Sequence, residues 1–196
     1  MNIIITVVIL VLLVMIGYYI HKKHIPQPRP MAFDGSGYTT FAAGTGYNTT
    51  TTYFSCDIKT STVNGLVLYG KADDEDMFLI SIDPSGVLAT QIDTGSGVVE
   101  LKSTALVNNN AWHHIYLARD GKRIILMVDQ EVIEGNTGKL AGISRPNIIY
   151  IGGSNLDISD SIPGFVGCIK NIKFNHRLAK DIEFDLTISG VSSGCQ

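Results

Sequence analysis

The chain has 196 residues and a formal net charge of −3, and 45% of its residues are hydrophobic. Three of the 15 basic residues and none of the 18 acidic residues precede residue 31, so residues 31–196 carry a net charge of −6. The length allows one domain with a full core. A domain this acidic is a poor candidate for binding nucleic acid, and we expect no nucleic-acid partner.

The first predicted element is the uncharged apolar run IIITVVILVLLVMIGYYI at residues 3–20. As a helix it would span roughly 27 Å, close to the thickness of the bilayer hydrocarbon. The alternative is a cleaved signal peptide, but no basic residue precedes the run and no small-residue cleavage site follows it. We therefore expect residues 1–20 to be a retained transmembrane anchor in contact with lipid, with Tyr18 and Tyr19 at the interface.

The next segment, HKKHIPQPRP at residues 21–30, contains three prolines and predicts an extended, stiff, basic linker. After the linker, short apolar runs with a period of two predict β-strands and no amphipathic helix. In TTTTYFSCDIKT (49–60), Phe54, Cys56 and Ile58 share one face. Turn signals such as DPSG at residues 83–86 separate the later runs. This spacing predicts an all-β antiparallel sandwich over residues 31–196.

The chain has three cysteines. Alternation places Cys56 with inward-facing residues, which favours a small buried thiol. Cys168 and Cys195 remain as a pair that would close a loop of about 27 residues and stabilise the fold by roughly 3 kcal/mol. Such a bond indicates an oxidising compartment.

Six segments follow one another in a recognisable order: MAFDGSGY (31–38), FSCDIKTSTVNGLVLYG (54–70), DMFLISIDPSGVLATQIDTGSG (76–97), NNNAWHHIYLARDGKRIILMVD (108–129), IYIGG (149–153) and GFVGCIKNIKFN (164–175). Together they resemble the laminin G-like domain of laminins, neurexins and agrin. The resemblance covers about residues 31–196. It implies a jelly-roll sandwich of two curved antiparallel sheets, of the concanavalin A-like kind. It also implies a disulfide between Cys168 and Cys195, and a core position for Trp112.

The resemblance further implies a calcium site. In the family, an aspartate at the start of the MFLISI strand, here Asp76, is joined by a backbone carbonyl, here that of Thr94, and by groups near Gly142 and Ser144. Ser144 departs from the Asp or Asn often found there, and a neutral hydroxyl suits Ca²⁺ less well than a carboxylate. Asp73 or Asp74, in the same acidic run DDED (73–76), could compensate. The alternative is a solvated acidic loop, and we expect no other cofactor.

Two further candidate sites concern carbohydrate. Lys170, Lys173, Arg177 and Lys180 recur at short spacing and could form a basic patch for sulfated sugars, a ligand class that the resemblance implies. The alternative is scattered surface lysines on an acidic domain. Asn48 begins the chain's N-glycosylation sequon NTT, which is usable only if the domain faces the lumen.

We expect no enzymatic activity. GVSSG (190–194) matches G-x-S-x-G, but two residues follow it in this sequence, and a nucleophile elbow needs a helix there. His113 and His114 are adjacent on a predicted strand, so they point to opposite faces and cannot hold one metal together. The sequence contains no glycosidase-like E-x-D-x-E run, P-loop, Rossmann fingerprint or Cys-x-x-Cys.

The sequence thus predicts a membrane-anchored, non-catalytic recognition or adhesion module that binds a protein or glycan through loops of the sandwich. The alternative is a structural virion membrane or minor capsid protein that packs against neighbouring structural proteins. Lys22 and Lys23 favour a cytoplasmic C-terminal side under the positive-inside rule. The predicted disulfide and the family resemblance favour an extracellular, lumenal or virion-membrane location, which we expect.

Overall fold

The computed structural model describes residues 11–13, 15, 29–42, 50–71, 76–138, 148–156, 161–175, 177–178, 184–187 and 190–195. In this part of the chain, fifteen β-strands form two antiparallel sheets. The two-sheet sandwich predicted from the alternation is therefore confirmed.

The predicted anchor lies largely outside the described residues. Residues 11–13 and 15 are helical and exposed. No helix within the described ranges is both long enough and apolar enough to span a bilayer. The anchor at residues 3–20 and the linker at residues 21–30 stay predictions.

Eight of the strands form sheet A: β1 (Met31–Asp34), β3 (Thr51–Lys59), β8 (Trp112–Asp120), β9 (Arg123–Val128), β10 (Glu131–Asn136), β12 (Val166–Phe174), β13 (Arg177–Leu178) and β15 (Val191–Ser193). Their order across the sheet is β10-β9-β8-β3-β12-β1-β15, and β13 pairs with β12.

The other seven form sheet B: β2 (Thr39–Ala42), β4 (Gly65–Lys71), β5 (Met77–Ile82), β6 (Val87–Asp93), β7 (Val99–Leu106), β11 (Ile148–Ile151) and β14 (Phe184–Thr187). Their order is β14-β2-β11-β4-β5-β6-β7.

The core lies between the sheets and follows from alternation along the strands. Phe54, Cys56 and Ile58 of β3 are at most 1% exposed and belong to one apolar cluster with Phe78 and Ile80 of β5. Cys56 is a free thiol, as predicted. Burial, with a smaller contribution from the neighbouring Asp57 carboxylate, raises its pKa, so the thiol stays protonated and unreactive.

The predicted turn at residues 83–86 joins β5 and β6. Asp83 Oδ1 accepts hydrogen bonds from the Ser85 amide at 2.8 Å and from the Ser85 hydroxyl at 2.5 Å. Gly86 has a φ of 88°, a conformation that glycine adopts without steric cost. These contacts fix the register in which β6 returns along β5.

Trp112 does not lie in the core, so that prediction was wrong. Its side chain is 37% exposed, and the Nζ of Lys170 lies 3.9 Å from the centroid of its ring. The buried Ile115 and Leu117 set the inward parity of β8, and His113, two residues before Ile115, takes the inward position instead. Trp112 therefore points out of sheet A.

The inward imidazole of His113 is fully hydrogen-bonded. Its Nδ1 lies 2.8 Å from Asp129 Oδ2, and its Nε2 lies 2.8 Å from Asn109 Oδ1. Asp129 Oδ1 also accepts the His114 amide at 2.8 Å. A polar side chain can occupy this position because both of its nitrogens have partners.

A disulfide connects β12 to the segment that follows β15, and these two strands flank β1. Cys168 on β12 is bonded to Cys195, two residues beyond β15, with an S–S distance of 2.07 Å and a Cα–Cα distance of 6.1 Å. The Gly194 amide donates to the Pro30 carbonyl at 2.8 Å, and the register pairs Met31 with both Ile169 and Ser193. The disulfide bond therefore lies beside the N-terminal end of β1.

Candidate ligand-binding sites

The first candidate site lies where β5 begins and β6 ends. The register pairs Met77 with Asp93, which brings Asp76 level with Thr94 on the neighbouring strand. Asp76 is 5% exposed and Thr94 is 2% exposed. The two residues predicted to bind calcium from adjacent strands are therefore neighbours in a buried part of the rim.

The β6–β7 turn lies next to this site. Asp93 Oδ1 accepts hydrogen bonds from the amides of Gly95, Ser96 and Gly97 at 2.9, 3.2 and 3.1 Å. The Oδ1 of Asp76 would lie 3.6 Å from a Cβ placed on Gly95. The turn is thus held by Asp93 and packs against the Asp76 carboxylate.

Two hydroxyls at this rim make no hydrogen bond among the described residues. They are Thr94 Oγ1 and Ser96 Oγ, and both are buried. Buried hydroxyls without partners are costly, and a hard cation that prefers oxygen ligands would satisfy them. Together with the Asp76 carboxylate and the Thr94 carbonyl, they fit calcium in ligand type. Within the described ranges, however, no group of three His, Cys, Asp or Glu residues could hold a metal ion.

Four of the predicted ligands, Gly142, Ser144, Asp73 and Asp74, lie outside the described residues. Ser96 was missed by sequence reasoning. The only available signal was its position two residues after Thr94 in a Gly-rich turn.

The second candidate site contains two of the four predicted basic residues. Lys170 pairs with Asp57, and Lys173 pairs with Ser55, across a shift in register between β12 and β3. Asn171 lies in this bulge with a φ of 54°. In a regular strand, residues three apart point to opposite faces, but the bulge places both lysines beside outward-facing residues of β3.

The remaining carbohydrate-related residues are only partly placed. Arg177 begins β13, whereas Lys180 and Asn48 lie outside the described residues. The structure thus brings Lys170 and Lys173 together on the outer face of sheet A.

Beside Lys173, the outer face of sheet A contains a shallow cavity of about 240 Å³, which we call the outer pocket. It is lined by Tyr53, Phe54, Ser55, His114, Tyr116 and Lys173. Burial, together with the neighbouring Tyr53, raises the pKa of Tyr116, so its hydroxyl remains a neutral hydrogen-bond donor.

A hydrogen-bonded triad fixes the histidine of the outer pocket. His114 Nδ1 lies 2.7 Å from Asp57 Oδ1, and Asn171 Nδ2 donates to Asp57 Oδ2 at 2.5 Å. An ionised carboxylate only accepts hydrogen bonds, so Nδ1 carries the proton and Nε2 is left for a ligand or water. The bulge that aligns the lysines also supplies the asparagine that holds this triad.

Comparison with known proteins identifies the family of this chain. The family model for the laminin G domain matches residues 58–177, more than half of the chain. Laminin subunit alpha of Drosophila melanogaster is 29% identical over 172 residues, which cover 84% of this chain and 5% of that protein. Neurexin-2 of Mus musculus is 27% identical over 178 residues, which cover 85% of this chain and 10% of that protein.

The chain therefore spans a tenth or less of the length of these curated relatives. Among solved structures, the LG1-3 region of the laminin alpha2 chain is similar, with a TM-score of 0.78 and 21% identity over 87% of this chain and 35% of that one. This likeness shows a shared fold of two antiparallel sheets. The chain belongs to the laminin G domain family.

Proposed function

We propose that this chain is a non-catalytic recognition or adhesion module that binds a protein or glycan ligand and is held at a membrane by residues 3–20. The main support is the rim between β5 and β6, where Asp76 lies level with Thr94 and two buried hydroxyls, Thr94 Oγ1 and Ser96 Oγ, make no hydrogen bond among the described residues. Polar oxygens kept in a buried rim suit ligand or ion binding better than they suit stability.

Calcium is the ion that we propose for this rim. Asp76 would provide the charged ligand, with the Thr94 carbonyl and the Ser96 hydroxyl beside it, and Gly142 and Ser144 as further ligands. A bound calcium ion would supply a fixed positive charge for an acidic group of the ligand. The hydrogen bonds from the β6–β7 turn to Asp93 hold the oxygens of this rim in position.

We further propose that residues 31–196 lie on the extracellular, lumenal or virion-membrane side. The disulfide between Cys168 and Cys195 supports this location, because such bonds persist in oxidising compartments. On that side, Asn48 would be available for glycosylation.

A binding screen tests the proposal. The full chain in detergent is incubated with arrays of glycans and extracellular-matrix proteins, with calcium or with a chelator. We expect saturable binding to a defined ligand, weakened by the chelator. A protein that binds no soluble ligand and associates only with neighbouring structural proteins would overturn the recognition role. Intact-mass measurement of the mature protein tests the anchor, which a start near residue 21 would exclude.

A further inference from the structure

We propose that the outer face of sheet A is a contact surface between two copies of this chain that are anchored side by side in one membrane. The partner on this face is a second copy, related to the first by a two-fold axis parallel to the strands. The inference rests on the membrane anchor proposed above. It goes beyond ligand recognition, because it assigns a partner to a surface away from the rim between β5 and β6.

The first observation is that strand β9 is apolar on both of its faces. Ile124, Leu126 and Val128 point into the core and are at most 1% exposed. Ile125 and Met127 alternate with them, point outward from sheet A and are half-buried. The outer face of an antiparallel sandwich is normally polar, and apolar residues on both faces are typical of a strand that is covered on both sides. The pattern of β9 therefore indicates that a partner covers the outer face of sheet A.

The neighbouring strands extend this apolar surface. Tyr116 pairs with Met127, which pairs in turn with Val132, and Val132 is 53% exposed on the edge strand β10. Ala118 lies one pleat further along β8, level with Ile125. Together with their neighbour on β3, these residues form what we call the apolar face: Tyr53, Tyr116, Ala118, Ile125, Met127 and Val132. A contiguous apolar surface of this kind is typical of a protein contact site.

The membrane anchor selects the symmetry of the contact. Sheets that pack in the aligned manner keep their strands within about 30° of each other, so the two-fold axis runs either along the strands or across them. A rotation about an axis along the strands keeps their direction, and Met31 at the start of β1 then points the same way in both copies. Both linkers can then reach one membrane, whereas an axis across the strands would send them in opposite directions.

An axis along β8 gives each copy a protruding side chain and a cavity that receives it. This axis places β9 of one copy over β3 of the other, because these two strands lie on either side of β8. Met127 is level with Tyr116 and Ser55, so it faces Ser55 of the second copy. Ser55 is small and lies in the outer pocket of about 240 Å³, which Tyr53 and Tyr116 also line. The outer pocket thus receives the Met127 side chain of the second copy, and the symmetry forms this contact twice.

The same axis brings opposite charges together at the borders of the apolar face, because it places β12 of one copy over β10 of the other. Lys173 is level with Val132, and Glu134 is the next outward residue of β10. Lys173 is exposed and makes no ion pair among the described residues. Glu134 is bonded to Arg123, but a carboxylate has several acceptor sites and can also accept a hydrogen bond from Lys173 of the second copy.

The size of the face predicts a contact that is weak in solution and strengthened by anchoring. The five strands from β12 to β10 give a width of about 24 Å, and the six residues of β9 give a length of about 20 Å. The projected area of roughly 500 Å² per copy is below the roughly 800 Å² per partner of a standard interface. Confinement of both copies to one membrane raises their effective concentration and compensates for the small area.

The test uses the full chain in phosphatidylcholine vesicles and in detergent micelles. A carbodiimide joins an amine to a carboxylate that touches it, without a spacer. Within one copy, Lys173 and Glu134 are four strand spacings or about 19 Å apart, so a crosslink between them joins two copies. We expect mass spectrometry to find this crosslink in a species of twice the monomer mass. Sedimentation in detergent should show a monomer that dimerises as the protein concentration rises.

Charge reversal tests the facing pair. Lys173→Glu alone and Glu134→Lys alone should each weaken dimerisation in sedimentation about tenfold, because each change reverses both symmetric contacts. An equal mixture of the two variants should restore it, since both contacts then join opposite charges. Lys102→Glu, on β7 of sheet B, is the matched control and should have no effect. Met127→Ser should weaken dimerisation about tenfold by removing the side chain that fills the outer pocket. Circular dichroism verifies that each variant is folded.

A chain that stays monomeric in vesicles at every protein density would overturn the inference, while ligand binding on the arrays would show that the proposed recognition role stands. A dimer that neither Lys173→Glu nor Met127→Ser weakens would also overturn it, because another surface would then join the two copies. A mixture of the two charge variants that stays monomeric would exclude the axis along β8. A chain that does not remain in the vesicles would refute the anchor and with it this arrangement.

Discussion

Removal of the disulfide should cost the domain about 3.5 kcal/mol of unfolding free energy. The perturbation is the double substitution Cys168→Ala with Cys195→Ala, which leaves no unpaired thiol at this site. The two cysteines are 27 residues apart in sequence, and closing a loop of that length in the unfolded chain has an entropic cost of about 3.5 kcal/mol at 25 °C. This is a large fraction of the stability of a typical domain.

Urea unfolding followed by far-UV circular dichroism measures the effect. With an m value of about 2 to 3 kcal/mol per molar urea, the midpoint should fall by about 1 to 2 M. In reducing buffer the wild-type protein should unfold at nearly the same urea concentration as the double variant. Cys56→Ala is the matched control, because it removes a buried thiol and its cost should be the same in both buffers. A double variant that unfolds with the wild-type midpoint in oxidising buffer would refute the reasoning.

Three further predictions concern the calcium rim, the packing of Trp112 and the dependence of stability on pH. Asp76→Ala should abolish the calcium binding proposed for the β5–β6 rim, measured by isothermal titration calorimetry, and an unchanged isotherm would place any ion elsewhere. Trp112→Ala should lower the free energy of unfolding, measured in urea, by about 1 kcal/mol, because the ring is partly exposed and contacts Lys170. Phe165→Ala removes a fully buried ring and should lower it by about 3 to 5 kcal/mol. Similar losses in the two variants would contradict the placement of Trp112 outside the core. Hydrogen bonds from Ser85 to Asp83 and from the amide and hydroxyl of Thr104 to Glu131 lower the pKa of both carboxyls, so their stabilisation is present above the unfolded pKa values near 4 and is lost as pH falls through the folded values. The urea midpoint should therefore fall between about pH 5 and pH 3, and a midpoint that stays constant would contradict this assignment.

Much of the architecture could be predicted because the alternation of apolar and polar residues along a strand indicates which side chains face the core. The inward set of β3, Phe54, Cys56 and Ile58, and the turn at residues 83–86 were identified from period and turn chemistry. These features are local, so a short window of sequence contains their cause.

The error and the omission have different causes. Trp112 was expected in the core on family resemblance, yet the parity of β8 is set by Ile115 and Leu117, which direct the smaller His113 inward. The shared face of Lys170 and Lys173 depends on a bulge that appears only when β12 is paired with β3. Such bulges follow from strand pairing rather than from residue type, and a linear reading places the two lysines on opposite faces.

The position of the disulfide has a mechanical consequence. Tension transmitted through residues 21–30 would enter the fold at Met31, the first residue of β1, beside the bond between Cys168 and Cys195. Because the bond links the two ends of the 27-residue segment from Cys168 to Cys195, tension along the chain would pass through the bond and could not extend that segment. Fully extended, that segment would measure roughly 90 Å, and the chain could lengthen by that amount under force only after the bond is reduced. The domain would act as a short, stiff link, and its extensibility under force would depend on the redox state of its surroundings.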